Sequence, residues 1–370
     1  MNRNLKKSQM KKRTIQIVVL LTAIVAVSCN NNSRPRLIGA DDKILEIEVI
    51  SCNDSVINQT TPGAEDNIYG FEGGRVVKVG DTYHLITAEM YGEPRWVNMR
   101  LGHWTSTDGI DWLRAGTIRK SDGDFTGTSQ RSSVWGPMVV FNNDDNRWHL
   151  VYVCYKGKPN EPNVFWSNYD GVIQHAVSVV EGQEGIYGPY EDKGYLMRYD
   201  VDPDPWEGLQ GTDSFFPYKV GDKWYGFYGS ATTQDLNNCE WQIGLAQADR
   251  IEGPWTRMSE LNPVNLGGFA ENPIVMQLEN GVYIAIVDGG FEVEKPGYTL
   301  SWDGVHWSNI RYIDIESATT RWWSMMRTPQ SLIKEEDGTY TMFFTAYKDT
   351  DEPQFAPVSK AKVRITFLDK

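Results

Sequence analysis

The stretch GFEGGRVVKVGDTYHLITAEM, residues 70–90, is the unit from which the architecture can be inferred. An apolar run is followed by a Gly-Asp turn at Gly80 and by a second strand of alternating pattern. Two such runs joined by a tight turn predict a β-hairpin. The carboxylate of Glu72 stands at the front of this hairpin.

The hairpin recurs four more times along the chain. The copies are residues 133–155, 212–230, 269–290 and 326–347. Each copy has a polar or small start, an apolar strand, a turn rich in Gly, Asp and Asn, and an aromatic-rich second strand. The aligned aromatic residues recur at near-regular spacing and are Tyr83, Trp148, Trp224, Tyr283 and Tyr340. Internal repetition at such a period predicts a repeat architecture.

A second repeated element lies between the hairpins. The pattern S-x-D-G-x-x-W occupies residues 106–112 and 301–307, each preceded by a strand-like run. We interpret it as the turn between two outer strands, capped by the Asp and fixed by the Trp. Four strands in each of five repeats predict an all-β fold, a five-bladed β-propeller with four-stranded antiparallel blades. Residues 43–52 and 360–367 both alternate like strands, so both are candidates for completing the last blade, in either order.

Composition excludes some classes of partner. The net charge is −13 and no basic patch is present, which argues against nucleic acid and suits a neutral carbohydrate polymer. The four Cys include no Cys-x-x-Cys pair, and the five His are scattered, so we expect no metal site and no cofactor. We expect a monomer.

The first 29 residues have the pattern of a signal peptide. Lysines near the start precede an apolar run at residues 15–27, which ends in Ala26-Val27-Ser28-Cys29. This ending resembles a bacterial lipoprotein cleavage box with Cys29 as the lipidated residue. We therefore expect an exported lipoprotein, periplasmic or attached to the outer membrane, with a tether at residues 30–36 and one propeller domain at residues 37–370.

In a propeller the innermost strands line the central channel and begin at the same mouth. The five inner-strand starts carry Glu72, Trp135 with Gly136, Asp213, Glu271, and Arg327 with Thr328. A purely structural repeat would keep one small or apolar type here, and three positions are carboxylates instead. Paired carboxylates across a cleft are what glycoside hydrolysis requires, and a third one nearby raises its neighbour's pKa. The alternative is that these acids cap turns or pair with arginines.

The repeat pattern resembles the five-bladed propeller glycoside hydrolases of family 43, the arabinanases, arabinofuranosidases and xylosidases, with their invertase-like relatives. The resemblance implies that Glu72 is the general base or nucleophile. It also implies that Asp213, in Thr-Asp-Ser-Phe-Phe, tunes the pKa, and that Glu271, in Ala-Glu-Asn-Pro, is the general acid. Two departures mark a distant member. Glu72-Gly73-Gly74 replaces Asp-Pro in blade one, and Met138 replaces an Asp in blade two. The His of blade five that accompanies a channel metal in some relatives is missing.

Further residues are candidates for substrate binding. They are Arg75, Trp135, Glu161, Glu240, Trp323 and Arg327. Either Glu161 or Glu240, in loops at the same mouth, is also a possible replacement for one of the two catalytic glutamates. Stacking platforms for a sugar ring are sought among Trp96, Trp104, Trp166, Trp206, Trp322 and Trp323, of which about half are expected to pack between blades instead.

The sequence thus predicts a glycoside hydrolase that removes a terminal sugar from an oligosaccharide or polysaccharide, with a furanose such as arabinofuranose as the first candidate. Two alternatives remain open. One is a non-catalytic carbohydrate-binding propeller lipoprotein, and the other is a propeller lyase or phosphorylase.

Overall fold

Strands dominate the part of the chain that the structure, a computed structural model, describes. The described residues are 36–39, 41–52, 54–157, 168–235, 239–290, 295–315, 323, 325–347 and 355–368. Within them, one short 3-10 helix, Gln183–Tyr187, accompanies twenty strands numbered β1 to β20 in chain order. The strands form five antiparallel sheets of four, so the predicted five-bladed propeller is confirmed.

The first strand, β1, spans Leu45–Cys52. Blade one then consists of β2 (Phe71–Val79), β3 (Thr82–Met90), β4 (Met99–Ser106) and β5 (Leu113–Lys120). Blade two consists of β6 (Ser133–Asn142), β7 (Arg147–Gly157), β8 (Asn168–Ser178) and β9 (Tyr190–Arg198).

Blade three consists of β10 (Asp213–Val220), β11 (Lys223–Ala231), β12 (Trp241–Ala248) and β13 (Thr256–Arg257). Blade four consists of β14 (Glu271–Gln277), β15 (Tyr283–Asp288), β16 (Pro296–Ser301) and β17 (Arg311–Tyr312). In each blade the first strand is innermost and the chain proceeds outward, as the order of pairing shows.

Blade five closes the ring with strands from both ends of the domain. It contains β18 (Met325–Lys334), β19 (Tyr340–Tyr347) and β20 (Val358–Phe367), and β1 pairs with the outer edge of β20. The pairing is antiparallel and aligns Leu45 with Phe367 and Val49 with Val363. The sequence left the order of these two strands open, and the structure places β1 outermost.

The hydrophobic cores lie between neighbouring blades. Between blades one and five, Phe71, Leu85 and Trp104 pack with Phe343 and Val358. Other clusters join blades four and five, blades two to four, and blades one and two. The second strand of each blade is buried along nearly its whole length, because both of its faces meet another blade.

The outer turns have the role that the S-x-D-G-x-x-W pattern predicts. The Oδ1 atom of Asp108 accepts the backbone N–H groups of Ile110 and Asp111 at 2.7 and 2.9 Å. Asp303 does the same for Val305 and His306 at 2.9 and 2.8 Å. These turns connect the third and fourth strands of blades one and four, and they stabilise the fold rather than contribute to a site.

Residues Arg36–Lys370 make up one unit by their internal contacts. The expected signal peptide, the lipidated Cys29 and most of the tether fall outside the described residues and stay predictions. In the described ranges there is no helix with the length and apolar character needed to cross a bilayer.

Candidate functional site

The starts of the five inner strands meet at one cavity of about 230 Å³. Its lining includes one residue of interest from each blade, namely Glu72, Trp135, Asp213, Glu271 and Arg327. The structure therefore brings together the residues that the repeat alignment placed at a common mouth.

An interruption of the strand pairing follows each of these five positions. The register shifts between Glu72 and Arg75 in blade one, and the same happens after Trp135, after Asp213, after Glu271 and around Arg327 in the other blades. A bulge of this kind bends a strand and re-aims its side chains, and bulges are common beside active sites. Here the repeated bulge turns the inner-strand starts toward the channel mouth.

Four of the bulges place the next residue in the left-handed region. Gly73 has φ 64°, Gly136 φ 49°, Ser214 φ 49° and Asn272 φ 50°. At Gly73 an added Cβ would lie 3.1 Å from the Cα of Gly136, so the two inner strands approach closely. Asn is one of the residues that tolerates this conformation, which explains how Asn272 can replace the Gly of the related motif. Ser214 also donates a hydrogen bond to the Oδ1 atom of Asn272 at 3.2 Å.

Arg327 connects the two candidate catalytic glutamates. Its Nη2 atom lies 2.7 Å from Oε1 of Glu72, and its Nη1 atom lies 2.6 Å from Oε2 of Glu271. Because both nitrogens belong to one planar guanidinium, these two carboxylate oxygens are within roughly 8 Å of each other. A separation of this size suits a pair of carboxylates that acts on one glycosidic bond.

A third carboxylate, Asp288, binds the same guanidinium. Its Oδ2 atom lies 2.5 Å from Nη1 of Arg327, and its Oδ1 atom accepts the N–H of Gly290 at 2.8 Å. Asp288 ends β15 and pairs directly with Glu271 across the sheet. Asp288 was not predicted from the sequence, because it ends an apolar run and no repeat position marks it. Three carboxylates thus face one arginine.

Asp213 is held by a separate network. The hydroxyl of Tyr155 donates to its Oδ2 atom, and the N–H of Ser214 donates to its Oδ1 atom at 2.5 Å. Gln210 in turn donates from Nε2 to the Tyr155 hydroxyl at 3.0 Å. These bonds fix the orientation of Asp213 beside the Arg327 cluster.

Burial changes the acidity of these groups. It raises the pKa of Glu72 to about 7, an effect opposed by Arg327 and reinforced by Glu271 and Asp288. Burial likewise raises the pKa of Asp213 to about 6, although the Tyr155 hydrogen bond lowers it. Burial also raises the pKa of Asp288 to about 7, against the attraction of Arg327. Strongly perturbed carboxyl groups in a cleft are typical of catalytic sites.

Aromatic side chains form part of the cavity wall. Trp96 and Trp135 stack with ring centroids 5.6 Å apart and planes 14° from parallel, and both line the cavity with Trp241 and Phe269. The indole N–H of Trp135 donates to the carbonyl oxygen of Trp96 at 3.1 Å. Flat aromatic surfaces beside polar groups suit a sugar ring. Trp96 and Trp135 were predicted from the sequence, whereas Trp241 was not.

Three other predicted binding residues lie elsewhere. Arg75 lines a different cavity, where it donates to the carbonyl oxygen of Val139 at 2.8 Å and lies over the ring of Phe216. Arg75 follows the bulge after Glu72, and its side chain reaches Val139 of blade two and Phe216 of blade three instead of the carboxylate cavity. Glu240 is exposed and lines a neighbouring cavity.

Trp323 is only 3% exposed and packs against Phe344 with ring centroids 5.0 Å apart. These placements remove Arg75, Glu240 and Trp323 from the wall of the carboxylate cavity. Glu161, Trp166 and Trp322 lie outside the described residues. Trp104 and Trp206 pack in the blades, against Phe71 and Tyr228 respectively.

In the described part of the chain, one group has a spacing that can hold a metal ion. It consists of Asp145, His149 and Glu252 and lies apart from the carboxylate cavity. Both ring nitrogens of His149 already have hydrogen-bond partners, Asp145 at 2.9 Å and His175 at 2.9 Å. This group was not expected from the sequence, in which the histidines are scattered.

Comparison with known proteins supports the architecture. No family model and no curated protein matches the chain. Among solved structures, a glycoside hydrolase superimposes with a TM-score of 0.65 at 15% identity, over 84% of this chain and 92% of that chain. A family 117 glycoside hydrolase from the marine bacterium Zobellia galactanivorans gives a TM-score of 0.58 at 16% identity, over 86% and 90%.

An alpha-L-arabinofuranosidase from Lactobacillus brevis gives a TM-score of 0.54 at 12% identity, over 84% and 92%. The chain therefore has the fold of the five-bladed propeller glycoside hydrolases, which confirms the resemblance drawn from its repeats at the level of fold. At these identities the likeness concerns architecture, and chemistry has to be argued from the cavity itself.

Proposed function

We propose that the protein is a glycoside hydrolase that removes a terminal sugar from an oligosaccharide or polysaccharide. The observation that carries this proposal is the cavity at the channel mouth, which Asp213 lines together with Glu72 and Glu271, the two glutamates paired with Arg327. The Oε2 atom of Glu72 is buried and has no hydrogen-bond partner among the described residues. A buried carboxylate oxygen in this state is suited to accept a proton from water or from a substrate hydroxyl.

Each residue has a role in the proposed mechanism. Glu271 protonates the leaving glycosidic oxygen as general acid, and Glu72 activates water or attacks the sugar carbon. Asp213, oriented by Tyr155 and Ser214, is the third carboxylate of the site and has the modulating role that the resemblance implies. Arg327 holds Glu72 and Glu271 in a fixed relation, so that both carboxylates reach the same bond. The stacked pair of Trp96 and Trp135 supplies an apolar surface for the sugar ring.

For the substrate, a terminal furanose such as arabinofuranose is the first candidate. The solved structures of the same fold include an alpha-L-arabinofuranosidase and a putative exo-beta-1,3-galactanase, so arabinosides and galactosides belong in the same trial. A cavity at the end of a channel suits removal of a terminal sugar better than an open groove does.

The experiment that tests this proposal is replacement of Glu271 by Gln. The measured quantity is kcat, for the wild type and for the variant. The substrates are arabino-oligosaccharides and the 4-nitrophenyl glycosides of α-L-arabinofuranose, β-D-xylose and β-D-galactose. Loss of a general acid lowers kcat by roughly 10²- to 10⁴-fold. The loss should be smaller for nitrophenyl substrates, because their leaving group needs less protonation.

The exposed Glu260 offers a matched control, since it does not line the cavity and Glu260→Gln removes the same charge. Wild-type rates in Glu271→Gln on oligosaccharides would contradict the role of Glu271 as acid. Absence of turnover by the wild-type protein on the whole panel would contradict the hydrolase itself.

A second candidate function is non-catalytic carbohydrate binding. The ion pairs of Arg327 with both Glu72 and Glu271 favour it, because the guanidinium occupies one oxygen of each carboxylate that catalysis would have to offer to water or to the substrate. Saturable binding of a sugar without turnover would support this alternative.

We also propose that the protein is exported and attached to a membrane through lipidated Cys29. The proposal is supported by the basic and apolar pattern of the first 29 residues and by the sequence that ends in Cys29. Fractionation of cells that express the wild type or Cys29→Ser tests it. The wild type should be in the membrane fraction and the variant should be released, and equal distribution of both would refute the anchor.

A further inference from the structure

Two neutral amides of the cavity wall have no role in the proposed mechanism. Asn168 is the first residue of β8, and Gln210 lies in the segment that leads to β10. Both line the carboxylate cavity, and each is only 6% exposed. Polar side chains this deeply buried normally have all their hydrogen-bonding atoms paired.

The orientation of each amide follows from its partner. Asn168 donates from Nδ2 to the carbonyl oxygen of Trp96 at 2.5 Å, and a carbonyl can only accept. Gln210 donates from Nε2 to the hydroxyl of Tyr155 at 3.0 Å. That hydroxyl gives its own proton to Asp213, so it receives one from Gln210. In both amides the amino group is therefore occupied by protein.

The amide oxygens of Asn168 and Gln210 have no such partner. Neither Oδ1 of Asn168 nor Oε1 of Gln210 has a hydrogen-bond partner within the described ranges, and the same holds for Oε2 of Glu72. Three buried acceptors therefore belong to the lining of one cavity. They call for a ligand that brings several O–H donors, which is the property of a sugar with free hydroxyl groups.

We propose that Asn168 and Gln210 determine specificity, each by accepting a hydrogen bond from a hydroxyl of the terminal sugar. The inference rests on the proposed function in that it takes the cavity as the sugar site, but it does not require hydrolysis. The substrate class that follows is a neutral sugar whose two hydroxyl groups facing Asn168 and Gln210 are unmodified.

The same chemistry disfavours other sugars. A uronate or a sulfated sugar brings acceptors and negative charge to a cavity whose lining already holds Glu72, Asp213 and Glu271. A deoxy or O-methyl sugar leaves Asn168 or Gln210 without its donor. A site built to hydrogen-bond a hydroxyl rejects the analogue that lacks it, because the buried partner then stays unpaired.

The test is a binding titration that does not depend on turnover. The methyl glycosides of L-arabinofuranose, D-xylose and D-galactose, together with D-galacturonate, are titrated by calorimetry into the wild type, Gln210→Met and Asn168→Leu. We expect the best neutral ligand to bind each variant about tenfold more weakly than the wild type, the effect of one lost hydrogen bond. D-galacturonate should bind the wild type more weakly than D-galactoside by at least as much.

The matched control is Gln174→Met. Gln174, in β8 of blade two, is a buried glutamine like Gln210, but it does not line the cavity. Its side chain donates to the carbonyl oxygen of Gly194 at 2.9 Å. Its replacement should leave sugar affinity unchanged. Monodeoxy forms of the best ligand add a second test. One monodeoxy form should bind the wild type more weakly than the parent sugar does. The same deoxy form and the parent sugar should bind Gln210→Met equally.

The possible outcomes separate this inference from the proposed function. Wild-type affinity in both folded variants, or equal binding of D-galacturonate and D-galactoside, overturns the inference while hydrolysis can stand. Weakened binding in the variants without any turnover supports the inference and removes the hydrolase. Absence of both binding and turnover for every sugar overturns both.

Discussion

Glu72 and Asp213 keep their protons to a higher pH than ordinary carboxyl groups, because burial raises their pKa values to about 7 and about 6. A general base works in its deprotonated form. If Glu72 is the base, kcat/KM on an aryl arabinofuranoside should rise with pH through about 7. A rate that falls over this interval would make Glu72 the acid instead.

A change of protein stability with pH cannot produce this rise in kcat/KM. A carboxyl group with a raised pKa binds its proton more tightly in the folded state than in the unfolded state. Its contribution to stability is therefore present at low pH and lost as pH rises through about 7, the value of Glu72. Unfolding would lower activity toward high pH, which is opposite to the expected change. Thermal unfolding at each pH separates the two effects.

Individual site residues differ in how far the sequence could reveal them. Asp213, Glu271 and Arg327 were predicted, because comparison of repeats exposes a charged group where a structural residue is expected. Asp288 was not, since it follows the apolar run of β15 and only the fold brings it to Arg327. The placement of Arg75 in the site was wrong, because its closeness to Glu72 in sequence does not show that its side chain reaches Val139 and Phe216 instead.

At the scale of the element, the repeated bulge orients the candidate catalytic side chains that line the cavity. Asn272 has φ 50°, a conformation that costs most residues about 1–2 kcal/mol. Replacement by Ala should lower the free energy of unfolding by about this amount and lower kcat roughly tenfold, because Glu271 is the adjacent residue. Replacement by Gly keeps the backbone conformation and should retain most of the activity.

Denaturant unfolding and initial rates of the two Asn272 variants provide the measurement. If the Ala and Gly variants both keep the wild-type kcat, the bulge does not position Glu271. Loss of activity in both would point instead to the contact between Ser214 and the Asn272 side chain.

The hairpins themselves were predictable because each carries its own signal. A turn of Gly, Asp or Asn separates two runs of strand-forming residues, and such local patterns determine local structure. The order of β1 and β20 in blade five was not predictable, because both strands alternate in the same way. Only the pairing of residues far apart in sequence, such as Leu45 with Phe367, distinguishes them.

For the whole molecule, stability depends on how firmly β1 closes the ring. Val49 is 7% exposed and belongs to the core between blades four and five, whereas its neighbour Ile50 is 38% exposed. Val49→Asp buries an unpaired charge and should lower the free energy of unfolding by about 2–4 kcal/mol. Ile50→Asp places the same charge on the outer face and should change it by about 0.5 kcal/mol or less.

Denaturant unfolding compares the two variants. Equal losses would mean that the apolar face of β1 is not what holds the strand in place. A loss in Val49→Asp alone would identify that face as the source of closure.

The placement of β1 also has a consequence for the order in which the chain folds. β1 precedes every other strand in the sequence, but its partner β20 is the last strand to follow. Blades one to four are built from consecutive strands and can form by local pairing, whereas blade five requires contact between the two ends of the domain. Such distant contacts form late and slow the folding of a protein. Until they form, β1 is an unpaired strand that can join another chain, so the interval before ring closure is when the nascent protein is most exposed to aggregation.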